Sequence, residues 1–109
     1  MASERFAYIW EFTIDPSRRA DFLAAYNPEG EWAQLFSRDP SYIQTKLIQD
    51  INKENRYVTV DYWKSKDDRD AFRERYSDEF VDLDTRCEAF TRQEVFLGDF
   101  IEIEDTAAK

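Results

Sequence analysis

The sequence predicts an α+β domain of the ferredoxin-like type, βαββαβ in order, with an antiparallel sheet that carries its helices on one face. Residues 6–14 alternate side chains with the period of a strand. Two later stretches space aromatic residues as a helix does, each behind a capping residue. Between them lie two apolar runs joined by a short polar turn.

In the first strand Phe6, Tyr8, Trp10, Phe12 and Ile14 share one face, and Ala7, Ile9, Glu11 and Thr13 the other. Asp15-Pro16 follows as an N-cap with proline in the first helical position, where its missing N–H is not needed. Arg19, Phe22, Leu23 and Tyr26 recur at helical spacing until Asn27-Pro28-Glu29-Gly30 breaks the helix. A short helical piece resumes with Trp32, Leu35 and Phe36 and ends before Asp39-Pro40. A second strand is expected over 41–51, with Ile43, Leu47 and Ile51 set against Tyr42 and Ile48. The run Asn52-Lys53-Glu54-Asn55 turns the chain into a third strand, Arg56 to Trp63.

Ser65 caps the next helix, with Asp68 three residues on as the acidic partner of a capping box. Phe72 and Tyr76 mark its buried side. Ser77 restarts a helical pattern through Phe80, Leu83, Cys87 and Phe90. A last strand is expected from Gln93 to Leu97, ended by Gly98, with Phe100, Ile101 and Ile103 as a short added strand in an acidic tail whose final residues fray. An internal echo supports this reading. Asp15, Arg19, Phe22 and Tyr26 match Ser65, Arg69, Phe72 and Tyr76 at one constant offset, so each half repeats cap, helix and buried aromatic pair.

Composition bounds the function. A chain of 109 residues is one domain, able to bury a core without a disulfide or metal staple. Aromatics reach 17%, chiefly Phe (9) and Tyr (6), which points to a tight aromatic core or to an aromatic-lined pocket. A net charge of −9 repels phosphate backbones, so neither nucleic acid nor an anionic membrane is an expected partner. Cys87 has no second cysteine to bridge, and no signal-like or membrane-length apolar run is present; a cytoplasmic protein is expected. There is no histidine. That removes imidazole ligation of haem or zinc and any imidazole base, so no metal and no cofactor is expected. Acid–base work would fall to carboxylates, Tyr, Lys or Cys.

Both faces of the strands are apolar. Ala7 and Ile9 oppose Tyr8 and Trp10; Val58 and Val60 oppose Tyr57 and Trp63; Val95 and Leu97 oppose Phe96. An antiparallel sheet with one wet face should alternate cleanly. A second sheet is therefore expected over the open face, in a homodimer.

Three segments carry a family resemblance: Tyr8-Ile9-Trp10-Glu11-Phe12, Tyr57-Val58-Thr59-Val60-Asp61-Tyr62-Trp63, and Ser65-Lys66 leading into Ala71-Phe72. In order and spacing they resemble the antibiotic biosynthesis monooxygenases over about residues 5–98, with 99–109 as a tail. The resemblance implies a dimeric α/β barrel built from one such domain per chain. Similar proteins include cofactor-independent oxygenases of phenolic polyketides and haem-degrading enzymes. The haem-degrading branch uses an Asn, a Trp and a His whose positions fall at Trp10, at Phe72 and near Asp84 here. All three depart, which disfavours haem degradation.

The oxygenase branch needs a base, an oxyanion partner and a dry aromatic slot. Asp61, Asp84 or Glu11 supply candidate bases, Arg86 or Tyr26 an oxyanion partner, and Tyr8, Trp10, Trp32, Tyr62 and Trp63 candidate walls for a small aromatic ligand. Each has a plain structural reading as well. Tyr8 and Trp10 alternate as core residues do, Cys87 reads as core, and Glu11 and Asp61 would be balanced by Arg56 or Lys46 across the dimer. Three functional classes stay open. One is a cofactor-free monooxygenase of a phenolic, anthrone or quinone-like aromatic. The second is a non-catalytic small-molecule-binding or accessory dimer, and the third an isomerase or lyase with a carboxylate base.

Overall fold

A computed structural model of the chain describes residues 5–103. Its order is β1 (Phe6–Ile14), α1 (Arg19–Tyr26), α2 (Glu31–Phe36), β2 (Tyr42–Gln49), β3 (Arg56–Trp63), α3 (Lys66–Arg75), α4 (Ser77–Cys87) and β4 (Thr91–Ile101), with single 3-10 turns before α1 and after α4. The four strands form one antiparallel sheet in the order β2-β3-β1-β4. This is the ferredoxin-like α+β arrangement that the periodicity predicts. Among the described residues no helix is long and apolar enough to cross a membrane.

Both predicted caps form. The Asp15 carboxylate accepts from the Ser17 backbone N–H at 3.0 Å, and the Ser65 hydroxyl from the Asp68 N–H at 3.1 Å. The echo between the two halves is also structural. Phe22 and Phe72 are fully buried, and each packs against the tyrosine one turn later, with ring centroids 4.5 and 4.9 Å apart. The two matching arginines each reach an aromatic of the sheet. Arg19 hydrogen-bonds the Tyr57 hydroxyl, and Arg69 lies over the Tyr8 ring at 4.5 Å.

Strand register sorts the two faces. Phe6, Tyr8, Trp10 and Phe12 stand opposite Trp63, Asp61, Thr59 and Tyr57, so all eight point to the helices. Trp63, Phe22, Phe72, Ile14 and Cys87 form the fully buried centre. The opposite face carries Ile9, Val58, Val60, Ile48 and Val95, of which Ile48 is 57% exposed in a single chain.

Two strand boundaries differ from the expectation. β4 does not stop at Gly98; it continues to Ile101, so Phe100 and Ile101 belong to it and not to a separate strand. Gly98 instead sits at φ 141° beside a bulge: Ile9 faces Gly98 while Trp10 faces Phe96, leaving Leu97 as the extra residue. A side chain there would be strained. β2 is shorter than 41–51 and carries a bulge at Ile43, because Tyr42 faces Trp63 while Gln44 faces Tyr62. Ile43 and Ile51 are exposed, Ile51 almost completely, and make no core face with Leu47. Ile103 lies after β4, and the residues expected to fray at the very end fall outside the described range.

Candidate functional site

The rungs of the sheet build the floor of a cavity. One rung aligns Thr45 of β2, Asp61 of β3 and Tyr8 of β1; the next aligns Leu47, Thr59, Trp10 and Phe96; the third ends in Phe12 and Glu94. Over these rungs the chain leaves a cavity of about 280 Å³ between sheet and helices. Trp32 and Phe36 of α2, Tyr26 of α1, and Phe80 and Asp84 of α4 close it from above, and Arg73 of α3 enters from the side. Most of the lining rings are aromatic, and the polar groups converge from few directions, the usual make-up of a small-molecule site.

Asp61 is the chemically distinctive member. It is 7% exposed, and its Oδ1 accepts a 2.6 Å hydrogen bond from the Thr45 hydroxyl. No ion pair forms to it among the described residues. Burial pushes its carboxyl up to about 7, against the opposing pull of the Thr45 hydroxyl and the Arg73 and Arg69 guanidinium groups. A carboxyl that is half ionised at neutral pH is suited to take and return a proton.

Beside it, the buried Tyr8 hydroxyl accepts from Arg73 Nη2 at 3.0 Å, which leaves the Tyr8 proton free to donate. Burial and the Asp61 charge raise the Tyr8 phenol, while Arg73 lowers it. The buried Arg73 Nε has no hydrogen-bond partner among the described residues. A buried guanidinium N–H without an acceptor costs free energy. Arg73 lines the cavity and carries its positive charge beside Asp61.

Asp84 of α4 and Glu94 of the sheet floor are half-buried. Burial raises both, with the Glu88 charge adding to Asp84 and the Asp84 charge adding to Glu94. The Tyr26 phenol is raised strongly, chiefly by burial. At neutral pH Tyr26 is therefore a neutral donor.

Of the residues singled out in the sequence, Tyr8, Trp10, Tyr26, Trp32, Asp61 and Asp84 line this cavity. Tyr62, Trp63 and Arg86 do not. Tyr62 follows Asp61 in the strand and so points to the other face, where Arg5 lies over its ring at 4.1 Å. Trp63 shares the helix face but is packed completely among Phe36, Tyr42 and Phe72. Arg86 lies on the outside of α4 and pairs with Glu31 at 2.9 Å. Glu11 lies outside the cavity too. It points to the open face and pairs with Arg56 of its own chain at 2.8 Å.

Sequence reasoning passed over Arg73, Thr45, Thr59 and Glu94. The signals were present for three of them. Arg73 follows Arg69 by one helical turn, and Thr45 and Thr59 stand two residues from Leu47 and Asp61 on one strand face. Glu94 is set by the bulge at Leu97, which only coordinates reveal.

Fold and site together define a small ferredoxin-like domain with an aromatic-walled cavity between sheet and helices and a buried carboxyl, Asp61, among its lining residues. The sequence profile of the antibiotic biosynthesis monooxygenases matches residues 5–83, and the chain belongs to that family. No curated protein is matched by sequence. Among solved structures, a mutant form of SnoaB, a cofactor-independent oxygenase from Streptomyces nogalater, superposes with a TM-score of 0.72 at 21% identity, covering 99% of this chain and 100% of that one. A Bordetella bronchiseptica protein provisionally described as an antibiotic biosynthesis monooxygenase gives 0.68 at 23% identity over 92% and 98% of the two chains. A protein of the same description from Nitrosomonas europaea gives 0.68 at 13% identity, over 98% and 96%.

Proposed function

We propose that the protein is a cofactor-independent monooxygenase of a small acidic aromatic, such as a phenol, hydroquinone or anthrone. The observation that carries this reading is the buried Asp61 carboxyl, near neutrality in its titration, on the floor of an aromatic cavity beside Arg73. Asp61 takes the acidic proton of the bound ring. The charge left on the substrate oxygen is met by Arg73 and by the Tyr8 or Tyr26 hydroxyl. Trp10, Trp32 and Phe80 hold the ring and exclude water. The electron-rich anion then passes one electron to dioxygen, and the radical pair combines at the ring carbon to a peroxide anion, which takes the proton back from Asp61 to give the hydroperoxide. Loss of water from an anthrone hydroperoxide leaves the quinone carbonyl, so one oxygen atom enters the product and the other leaves as water. SnoaB's description as a cofactor-independent oxygenase supports the same class.

We further propose that the working unit is a homodimer sealed by the open sheet face, and that it resides in the cytoplasm, where its unpaired buried Cys87 stays reduced. An isomerase would use the same Asp61 base without oxygen. Oxygen-electrode measurements with anthrone and a series of hydroquinones separate the two. Uptake that disappears in Asp61→Asn supports the oxygenase. Proton exchange of the bound aromatic with no oxygen consumed removes it in favour of the isomerase, and binding with neither removes both.

A further inference from the structure

The Asp61 carboxyl is the inner end of a chain of hydroxyls. Thr45 Oγ1 donates to Asp61 Oδ1 at 2.6 Å, and the Tyr42 hydroxyl lies 2.6 Å from the same Thr45 oxygen. Both separations are at the short end for O–H···O contacts, as charge-assisted bonds are. Asp61 and Thr45 are buried, whereas Tyr42 is half-buried and stands at the start of β2, an edge strand of the sheet. The Tyr42 ring is fixed between Phe36 and Trp63, at 5.6 and 5.4 Å. The chain thus runs from Asp61 through Thr45, both lining residues of the cavity, to Tyr42 on the edge strand.

Hydrogen counting fixes its direction. Thr45 has one proton. With Asp61 ionised that proton is given to the carboxylate, so Tyr42 must give its own to Thr45. With Asp61 protonated, the carboxyl proton can go to Thr45, the Thr45 proton to Tyr42, and the Tyr42 proton outward. The two states differ by three proton hops, in which three O–H bonds break and three form, and one proton leaves at Tyr42. No charged intermediate has to sit on either hydroxyl if the hops are concerted.

From this geometry we propose that Thr45 and Tyr42 are a proton relay that discharges Asp61 to solvent at the edge of β2. The inference rests on the reading of Asp61 as the base. A ring filling the cavity excludes the water that would otherwise exchange protons with the carboxyl, and the relay returns Asp61 to its ionised form before each turnover. The other groups facing the carboxyl are Tyr8 of β1 and Arg69 and Arg73 of α3. Neither guanidinium can accept a proton, and Tyr8 already accepts from Arg73. Thr45 and Tyr42 are positioning and relay residues and need not touch the substrate.

The test reads proton exchange directly and needs no turnover. In protein labelled at the aspartate carboxyl carbon, the Asp61 resonance is identified by its loss in Asp61→Asn. Its titration midpoint and its exchange rate by relaxation dispersion near neutrality are measured in the wild type, Tyr42→Phe, Thr45→Val and Thr45→Ser. We expect Tyr42→Phe and Thr45→Val to slow exchange by about tenfold or more, as removal of a proton-transfer partner does. Thr45→Ser, which restores the hydroxyl, should exchange at the wild-type rate. Tyr42→Phe keeps the ring packing, so loss of fold cannot imitate the result. Exchange in Tyr42→Phe as fast as in the wild type overturns the relay, even where the midpoint moves. A slow Tyr42→Phe in a protein that oxidises no aromatic would keep the relay and discard the oxygenase reading.

Discussion

Arg73 of α3 donates through Nη2 to the Tyr8 hydroxyl of β1 at 3.0 Å, and its guanidinium carbon lies 5.1 Å from the centre of the Tyr8 ring. One contact therefore ties the roof of the cavity to its floor and leaves a positive charge beside Asp61. Arg73→Met keeps the apolar stem and removes that charge. Oxygen uptake with anthrone should fall about 10²- to 10³-fold, the usual effect of losing one oxyanion donor. The acid limb of the pH profile should move upward as well, because Arg73 lowers the Asp61 carboxyl. Arg73→Lys should recover part of the rate. An Arg73→Met enzyme with unchanged rate and profile would remove Arg73 from the site.

Asp61 links the site to stability. Its folded-state value of about 7 lies above the ordinary carboxyl value of about 3.9, which the unfolded chain keeps. Between those two values the folded state binds more protons than the unfolded one, so stability falls as pH rises. The cost is absent below the unfolded value and complete above the folded value, where about three units amount to roughly 4 kcal/mol. Asp61→Asn lacks this titration. Urea denaturation should find the variant more stable than the wild type at about pH 8, by up to roughly 4 kcal/mol, with the gap closing toward about pH 4. A gap that does not change with pH would mean that Asp61 titrates normally.

The same two positions show what a sequence can and cannot disclose. Alternation from Phe6 to Ile14 sets the buried face of β1, and the cap-and-aromatic echo sets both helices, because these depend on local chemistry that repeats with a fixed period. Alternation also separates Asp61 from Tyr62, and applying it strictly would have kept Tyr62 out of the cavity. Arg86 was singled out and Arg73 passed over. Both are arginines on helices, and only the packing angle of α3 and α4 decides that Arg73 reaches Tyr8 while Arg86 reaches Glu31. Residues 93–97 read as a finished strand because Gly98 usually ends one, yet a bulge absorbs the glycine and the strand continues. Bulges shift register by one residue at no visible cost in composition, so the position of Glu94 was hidden.

Trp10 and Trp63 form a controlled comparison. Both stand on the helix face, but Trp63 is completely enclosed, whereas Trp10 is half-buried with one side toward the cavity and its ring 5.2 Å from the exposed Phe96. Trp63→Ala should cost about 3–5 kcal/mol, since its removal opens a void that packed neighbours cannot fill. Trp10→Ala should cost only about 1–2 kcal/mol, because part of its surface already borders empty space. It should also widen the site, so that larger polycyclic aromatics quench more strongly the fluorescence of Trp32, the cavity-lining one of the two remaining tryptophans. Equal losses from the two substitutions would indicate that Trp10 is core and no wall.

The open face of the sheet makes the last prediction. Its central rung is Ile48, Val58, Glu11 and Val95, and the rung beside it is Lys46, Val60, Ile9 and Gly98. Ile48 and Val95 are exposed in a single chain, as are Leu97 and Phe100 on the neighbouring edge strand. A contiguous apolar surface of this kind is a burden for a monomer and the ordinary material of an isologous interface. The charged members are met within the chain: Glu11 pairs with Arg56, and Lys46 lies over the Tyr62 ring at 5.5 Å. In light scattering the protein should therefore have twice the chain mass of 13.1 kDa at micromolar concentration. Val58→Lys tests the surface itself. In an isolated subunit the new lysine points to water beside Glu11, so helix and strand content by circular dichroism should hold. In the dimer the same charge would be buried against a second sheet, at a cost of several kcal/mol. The variant should thus run as a monomer, and its melting temperature should lose the dependence on protein concentration that the wild type shows. A wild-type protein of single-chain mass would remove the dimer. A Val58→Lys dimer as tight as the wild type would move the interface to another surface.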